Sequence, residues 1–143
     1  MQSYLAVYIL PWLITSITAS VEDLRYQGVS TRTFIGLIVA TVFYAFLNVL
    51  SLGVYALTLP LTLTLFLAYL QLKGYLGLVD VVYGCLCSFF LAPLVYMLVL
   101  CLAFSSLLAL TIACHSLKAR LPCIPVMFTS SIMAICWWCL CVF

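Results

Sequence analysis

An all-α, multi-pass membrane bundle of about six helices is the architecture expected for this chain, on three grounds. The first is the scarcity of charge: of 143 residues, 69% are hydrophobic and 6% charged. A soluble domain of this size carries about 25% charged residues, and five Lys/Arg with three Asp/Glu cannot cover a globule in water. The same apolarity excludes a disordered chain, which is polar. A formal net charge of +2 is too small to draw nucleic acid as a partner. The second ground is a series of apolar runs, each close to the roughly 20 residues that a helix needs to cross a bilayer. Strands of a membrane barrel would alternate polar and apolar residues, and runs such as Leu94–Leu102 do not. The third ground is that basic residues fall only in alternate breaks between the runs.

The first span is expected at Tyr4–Ser20. Met1–Tyr4 lacks the positive charge that opens a cleaved signal peptide, so this run reads as a retained helix. The longest break, Val21–Thr33, follows and holds Glu22, Asp23, Arg25 and Arg32. The second span, Phe34–Leu50, stops at Ser51–Gly53, and the third, Val54–Leu72, stops at Lys73–Gly74. The fourth and shortest, Leu76–Leu91, closes at Ala92–Pro93. The fifth, Leu94–Cys114, leads into His115–Arg120, and Pro122–Val142 is the last. No linker or low-complexity tract interrupts this order, so residues 1–143 read as one domain. Arg25 and Arg32, Lys73, and Lys118 with Arg120 then share one side of the membrane. Basic loops stay in the cytoplasm, which puts both termini outside and the three charged breaks inside.

Carboxylates in or beside a bilayer are costly and rare, so each is a functional candidate. Glu22 has no evident role. Asp23 lies just past the first span, and Asp80 lies inside the start of the fourth, seven residues after Lys73. Both belong toward the cytoplasmic side. On the helix face of Asp80 stand Gly77, Gly84, Cys87 and Ser88, and on that of Asp23 stand Thr15, Ser16, Ala19 and Ser20. Small residues let membrane helices approach closely. Spans one and four are therefore expected to pack together with the two carboxylates adjacent. Such a pair shares a proton. It can hydrolyse a peptide bond, one carboxylate drawing a proton from water while the other donates one. An exposed Asp23 paired with Arg25 is the plain structural alternative, and a proton or cation pathway would account for Asp80 equally well.

Three segments resemble motifs of the type IV prepilin peptidases. Asp23-Leu24-Arg25-Tyr26-Gln27-Gly28-Val29-Ser30 is similar to that family's first-aspartate motif, D-L-R-x-x-x-I-P. Gly77-Leu78-Val79-Asp80-Val81-Val82 is similar to its G-x-G-D-x-K motif. Leu121-Pro122-Cys123-Ile124-Pro125-Val126 resembles the I-P-F-x-P-F segment that opens its last helix. The three occur in family order across almost the whole chain. The resemblance implies an intramembrane aspartic endopeptidase of the plasma (inner) membrane that removes the leader of prepilins or pseudopilins at the cytoplasmic face, in type IV pilus assembly or protein secretion. Asp23 and Asp80 would be the catalytic pair, with Gly77 and Arg25 as supporting motif residues and no metal or other cofactor. The chain opens directly at its first span, so no methyltransferase region is expected. Ser30 stands where Pro is usual, Val79 replaces the second Gly, and Val82 replaces Lys. A β-branched Val cannot offer the backbone freedom of Gly, so an inactive assembly factor of the same fold is an alternative. A small proton-coupled transporter using Asp80 is another.

The remaining features read as structural. Eight cysteines include a C-x-x-C at Cys136–Cys139, but it is flanked by Trp137 and Trp138 in an apolar run, whereas zinc ligands come in pairs from loops. Buried Cys is usually a small hydrophobe, although Cys139 and Cys141 are placed to reach the outer surface and a disulfide there stays open. His115 reads as a loop residue beside Lys118 and Arg120. Trp12, Trp137 and Trp138 read as interface anchors. No G-x-S-x-G or H-E-x-x-H occurs, so serine and zinc protease machinery is missing. Neither the substrate nor the oligomeric state follows from these residues.

Overall fold

A computed structural model of the protein describes residues 2–91, 93–113 and 123–142. The described residues form six α-helices and no strands: α1 (Gln2–Tyr26), α2 (Thr31–Leu52), α3 (Thr58–Leu72), α4 (Leu78–Phe90), α5 (Pro93–Ala113) and α6 (Cys123–Val142). A single 3-10 turn, Val54–Leu57, leads into α3. The helices follow the expected apolar runs in number and order. His115, Lys118, Arg120 and Pro122 lie outside the described residues.

The largest difference from the expected boundaries is between the first two helices. The expected break of Val21–Thr33 shrinks to residues 27–30, because α1 continues through Glu22, Asp23 and Arg25. Apolar counting stops at the first charge, but a helix propagates through its main-chain bonds until something opposes it. Here the turn comes at Gln27, which takes a left-handed φ of 51°. Ser30 then caps α2, its hydroxyl accepting from the Thr33 N–H. Glu22 explains itself in the same place. Its carboxylate accepts from the Ser30 N–H at 2.7 Å, the Ser30 hydroxyl at 2.9 Å and the Thr33 hydroxyl at 2.9 Å. It ties the last turn of α1 to the first turn of α2.

α4 is the centre of the bundle: it touches each of the other five helices. Val81, Tyr83, Gly84, Leu86, Cys87, Ser88 and Phe89 are all buried there. Its C-terminal carbonyls find partners on other helices. Asn48 of α2 donates to Phe89 O at 2.6 Å, and Tyr8 of α1 donates to Phe90 O at 3.4 Å. Around that end the Trp12 ring stacks on Phe90 at 4.5 Å, with Phe128 at 5.6 Å from Trp12. Trp12 is thus a core residue, 2% exposed, rather than an interface anchor.

The small-residue stripes are buried as expected at Ser16, Ala19, Ser20, Gly84, Cys87 and Ser88, but they do not form one α1–α4 seam. α1 lies mainly on α6 and α2 and meets α4 over a shorter stretch. Thr15 faces Gly36 of α2, and Gly77 is exposed. Gly84 is where close approach is real. A Cβ there would collide with Leu67 of α3 and sit 3.3 Å from the Tyr96 hydroxyl of α5. Among the described residues, Thr31–Ser51 alone is a helix long and apolar enough to cross a membrane by length and composition, and the other apolar helical stretches are shorter.

Candidate active site

Asp23 and Asp80 stand 57 residues apart in sequence, and folding brings them within electrostatic reach of each other. Asp23 is in the last turn and a half of α1, beyond the expected end of its span, and Asp80 is in the first turn of α4. The N-terminus of α6 completes the group. The Ile124 N–H is directed at the Asp23 carboxylate, and the Cys123 thiol lies within electrostatic reach of both acids. Both carboxylates are half-buried.

Each acid is held at a helix N-terminus, where unpaired N–H groups and the helix dipole favour negative charge. Asp80 folds back on its own helix, its Oδ2 accepting from the Gly77 N–H at 2.8 Å. This is half of a capping box, since Gly77 has no side chain to return the bond. Gly77 has an ordinary φ of −78°, so conformational freedom is not its purpose. A Cβ there would stand 3.1 Å from Asp80 Oδ2, and glycine leaves that space free. Asp23 Oδ2 is buried with no hydrogen-bond partner among the described residues. Burial pushes the Asp23 carboxyl above the ordinary aspartate range, and the Ile124 N–H partly offsets this by favouring the charged form.

The supporting residues behave differently. Arg25 is exposed at the end of α1, and Lys73 is exposed beyond α3 with its ammonium 5.7 Å from the Tyr69 ring centre. Val79 is half-buried against the core. Val82 lines a shallow apolar cleft with Ile38, Thr41, Val42, Thr64, Val81 and Cys85. Glu22 is occupied by the α1–α2 turn, and its hydrogen bond from the Ser30 N–H holds it below the usual carboxylate range. Cys123 is the site residue that sequence reasoning passed over as a buried hydrophobe. The available signal was its place in the segment that opens the last helix. Among the described residues, no cluster of three or more His, Cys, Asp or Glu is arranged to hold a metal ion.

The arrangement can do paired-carboxylate chemistry. Two partly desolvated acids within electrostatic reach of each other retain a proton at higher pH than free aspartates do. No protein-family model matches the chain, and no curated protein or solved structure is significantly similar to it.

Proposed function

We propose that the chain is a small intramembrane aspartic endopeptidase of the prepilin-peptidase kind, acting on the leader of a prepilin or pseudopilin. The observation that carries this reading is that Asp23 and Asp80, from helices far apart in sequence, come within electrostatic reach of each other, with Asp23 beside the opening of α6. Those are the residues at which the motif resemblance expects a catalytic pair. One carboxylate takes a proton from water as the water oxygen bonds to the scissile carbonyl carbon. The C–N bond then breaks, and the other carboxyl gives its proton to the leaving nitrogen. The pair ends with the proton count it began with, its roles exchanged.

A multi-pass bundle in the lipid bilayer of the plasma (inner) membrane is part of the proposal. Large apolar side chains are exposed on every helix, among them Ile14, Ile17, Val39, Val42, Phe46, Leu65, Phe66, Leu78, Leu108, Ile112, Met133 and Leu140. Soluble monomers rarely expose contiguous apolar patches beyond a few hundred Å². Arg25, Arg32 and Lys73 sit at the helix ends nearest the two acids, which supports a cytoplasmic active site. The transporter alternative is less well served, because ion sites of that kind lie near the bilayer midplane and Asp80 is in the first turn of its helix.

One specific observation favours a second reading, a non-catalytic assembly factor. Both acids contact helix-end N–H groups, which would suffice to explain them as caps. Asparagine also caps helices, so substitution by Asn separates the two readings. Co-expression with a candidate prepilin, followed by N-terminal sequencing of the product, is the test. Asp23→Asn and Asp80→Asn each abolish processing on the peptidase reading, and Glu22→Gln retains it. Processing by either Asn variant removes the dyad from the account.

A further inference from the structure

The geometry points to an internal, dead-end water site along one face of α1, entered from the Asp23 end and lined by Ser16, Ser20 and Tyr83. Trp12, Ser16, Ser20 and Asp23 follow one another at spacings of 4, 4 and 3 residues, so they share a single helix face. The stripe is about 16 Å long at about 1.5 Å per residue. Each of the four has a buried polar atom with no hydrogen-bond partner among the described residues: Trp12 Nε1, Ser16 Oγ, Ser20 Oγ and Asp23 Oδ2. The Tyr83 hydroxyl, from the centre of α4, is unpartnered in the same way. Ser16 and Tyr83 are 0% exposed, Trp12 2% and Ser20 6%.

Orphaned buried polar groups are rare and need a partner. Helical Ser and Thr in apolar surroundings normally bond back to a carbonyl one turn earlier. Thr15, Thr18, Thr41, Thr64, Ser88 and Ser131 all do so here. Ser16 and Ser20 do not. Their hydroxyls face an interior that already contains other polar groups. Tyr83 is directed at Ser16 and Cys87, and Cys87 at Trp12, Tyr83 and Ser131, but the Trp12, Ser16 and Tyr83 groups lack the geometry of a formed hydrogen bond, which leaves room for a bridging partner. A buried water makes about three hydrogen bonds to such groups, and three helices converge to supply them.

The site is closed at its far end. Trp12 is stacked on Phe90 and packed against Phe128. At the near end it meets Asp23 and Cys123, beside the half-buried carboxylates. The proposed water exchanges at the carboxylate end, beside the two acids, and the stacked Trp12 closes the stripe at its other end among the described residues. The inference does not rest on the peptidase reading, since its readout is solvent contact and not cleavage.

Brief X-ray radiolysis of the purified full chain, with mass spectrometry of hydroxyl-radical products, tests it, because buried aromatics beside internal water are labelled and those in dry cores are not. Trp12 and Tyr83 are expected to label at least fivefold faster than Phe89, which is 6% exposed. Ser16→Val is expected to slow labelling of Tyr83 at least threefold while leaving exposed Tyr26 unchanged. Wild-type Trp12 and Tyr83 as protected as Phe89 would overturn the site. Ser16→Val with Tyr83 labelling unchanged would remove Ser16 from it. If Ser16→Val does not fold, Ser20→Ala with the same readout takes its place.

Discussion

Tyr44 hydrogen-bonds to two main-chain groups of the neighbouring helix. Its hydroxyl accepts from the Trp12 N–H at 3.1 Å and donates to the Tyr8 carbonyl. Those two groups are the i and i+4 partners of an ordinary α-helical bond. Pro11, inside α1, has no N–H to give and crowds the preceding turn, and the Tyr44 hydroxyl from α2 binds main-chain groups on either side of it. Tyr44→Phe removes both hydrogen bonds from a buried site and is expected to cost about 1–3 kcal/mol, read as a lower unfolding temperature in detergent with helix content retained. None of this was legible in the sequence, where Pro11 and Tyr44 lie in separate apolar runs and nothing in their spacing links them. Asp23 and Asp80 were legible, because a carboxylate in so apolar a chain has few structural explanations. Cys123 and the Ile124 N–H were not. A thiol reads as a small hydrophobe, and a backbone donor leaves no trace in the residue type.

At the scale of elements, the turn between α1 and α2 is held by Glu22, Ser30 and Thr33. Ser30→Ala removes the cap and is expected to cost about 1 kcal/mol, measurable by denaturant unfolding. Glu22 adds a pH dependence of known sign. Its carboxyl is held below the usual range, so its stabilisation is complete above the unfolded glutamate pKa of about 4.3. That contribution is lost as pH falls through the lower, folded value. Protection factors of the amides at the start of α2, corrected for the intrinsic pH dependence of exchange, are expected to fall on acidification below about pH 4. Helix number and order could be read from apolar runs, since α2 and α3 end beside Gly53 and Gly74 and α4 begins after Gly77. The overlong expected break at Val21–Thr33 shows the limit of that method. Charge marks where a helix leaves an apolar environment, not where it stops.

On the scale of the whole molecule, α4 is the hub, and both of its ends are committed: Asp80 and Gly77 at one, Asn48 and Tyr8 at the other. The two ends differ in chemistry. Aromatic packing seals one, and the other gathers two carboxylates, a thiol and a helix N-terminus. That polarity is what the proposed activity needs, a water-accessible acidic site at one face of an otherwise apolar bundle. Because burial raises the Asp23 carboxyl, its proton survives above the ordinary aspartate pKa of about 3.9. Leader cleavage is expected to fall as pH rises through that raised value, and a kcat/KM profile against pH with a descending alkaline limb is the check. Charge scarcity pointed to a membrane bundle, and the stripes of small residues pointed to a common interior. Which helices share that interior depends on three-dimensional packing, and α6 entered it unannounced.

The most direct measurement is leader cleavage by purified wild-type, Asp23→Asn and Asp80→Asn proteins on one prepilin substrate, with unfolding temperature recorded alongside. Asparagine keeps an acceptor for the Gly77 and Ile124 N–H groups while removing the exchangeable proton. Near-wild-type unfolding temperatures and no detectable cleavage are expected for both variants. Cleavage by either one at a substantial fraction of the wild-type rate would contradict the paired-carboxylate reading.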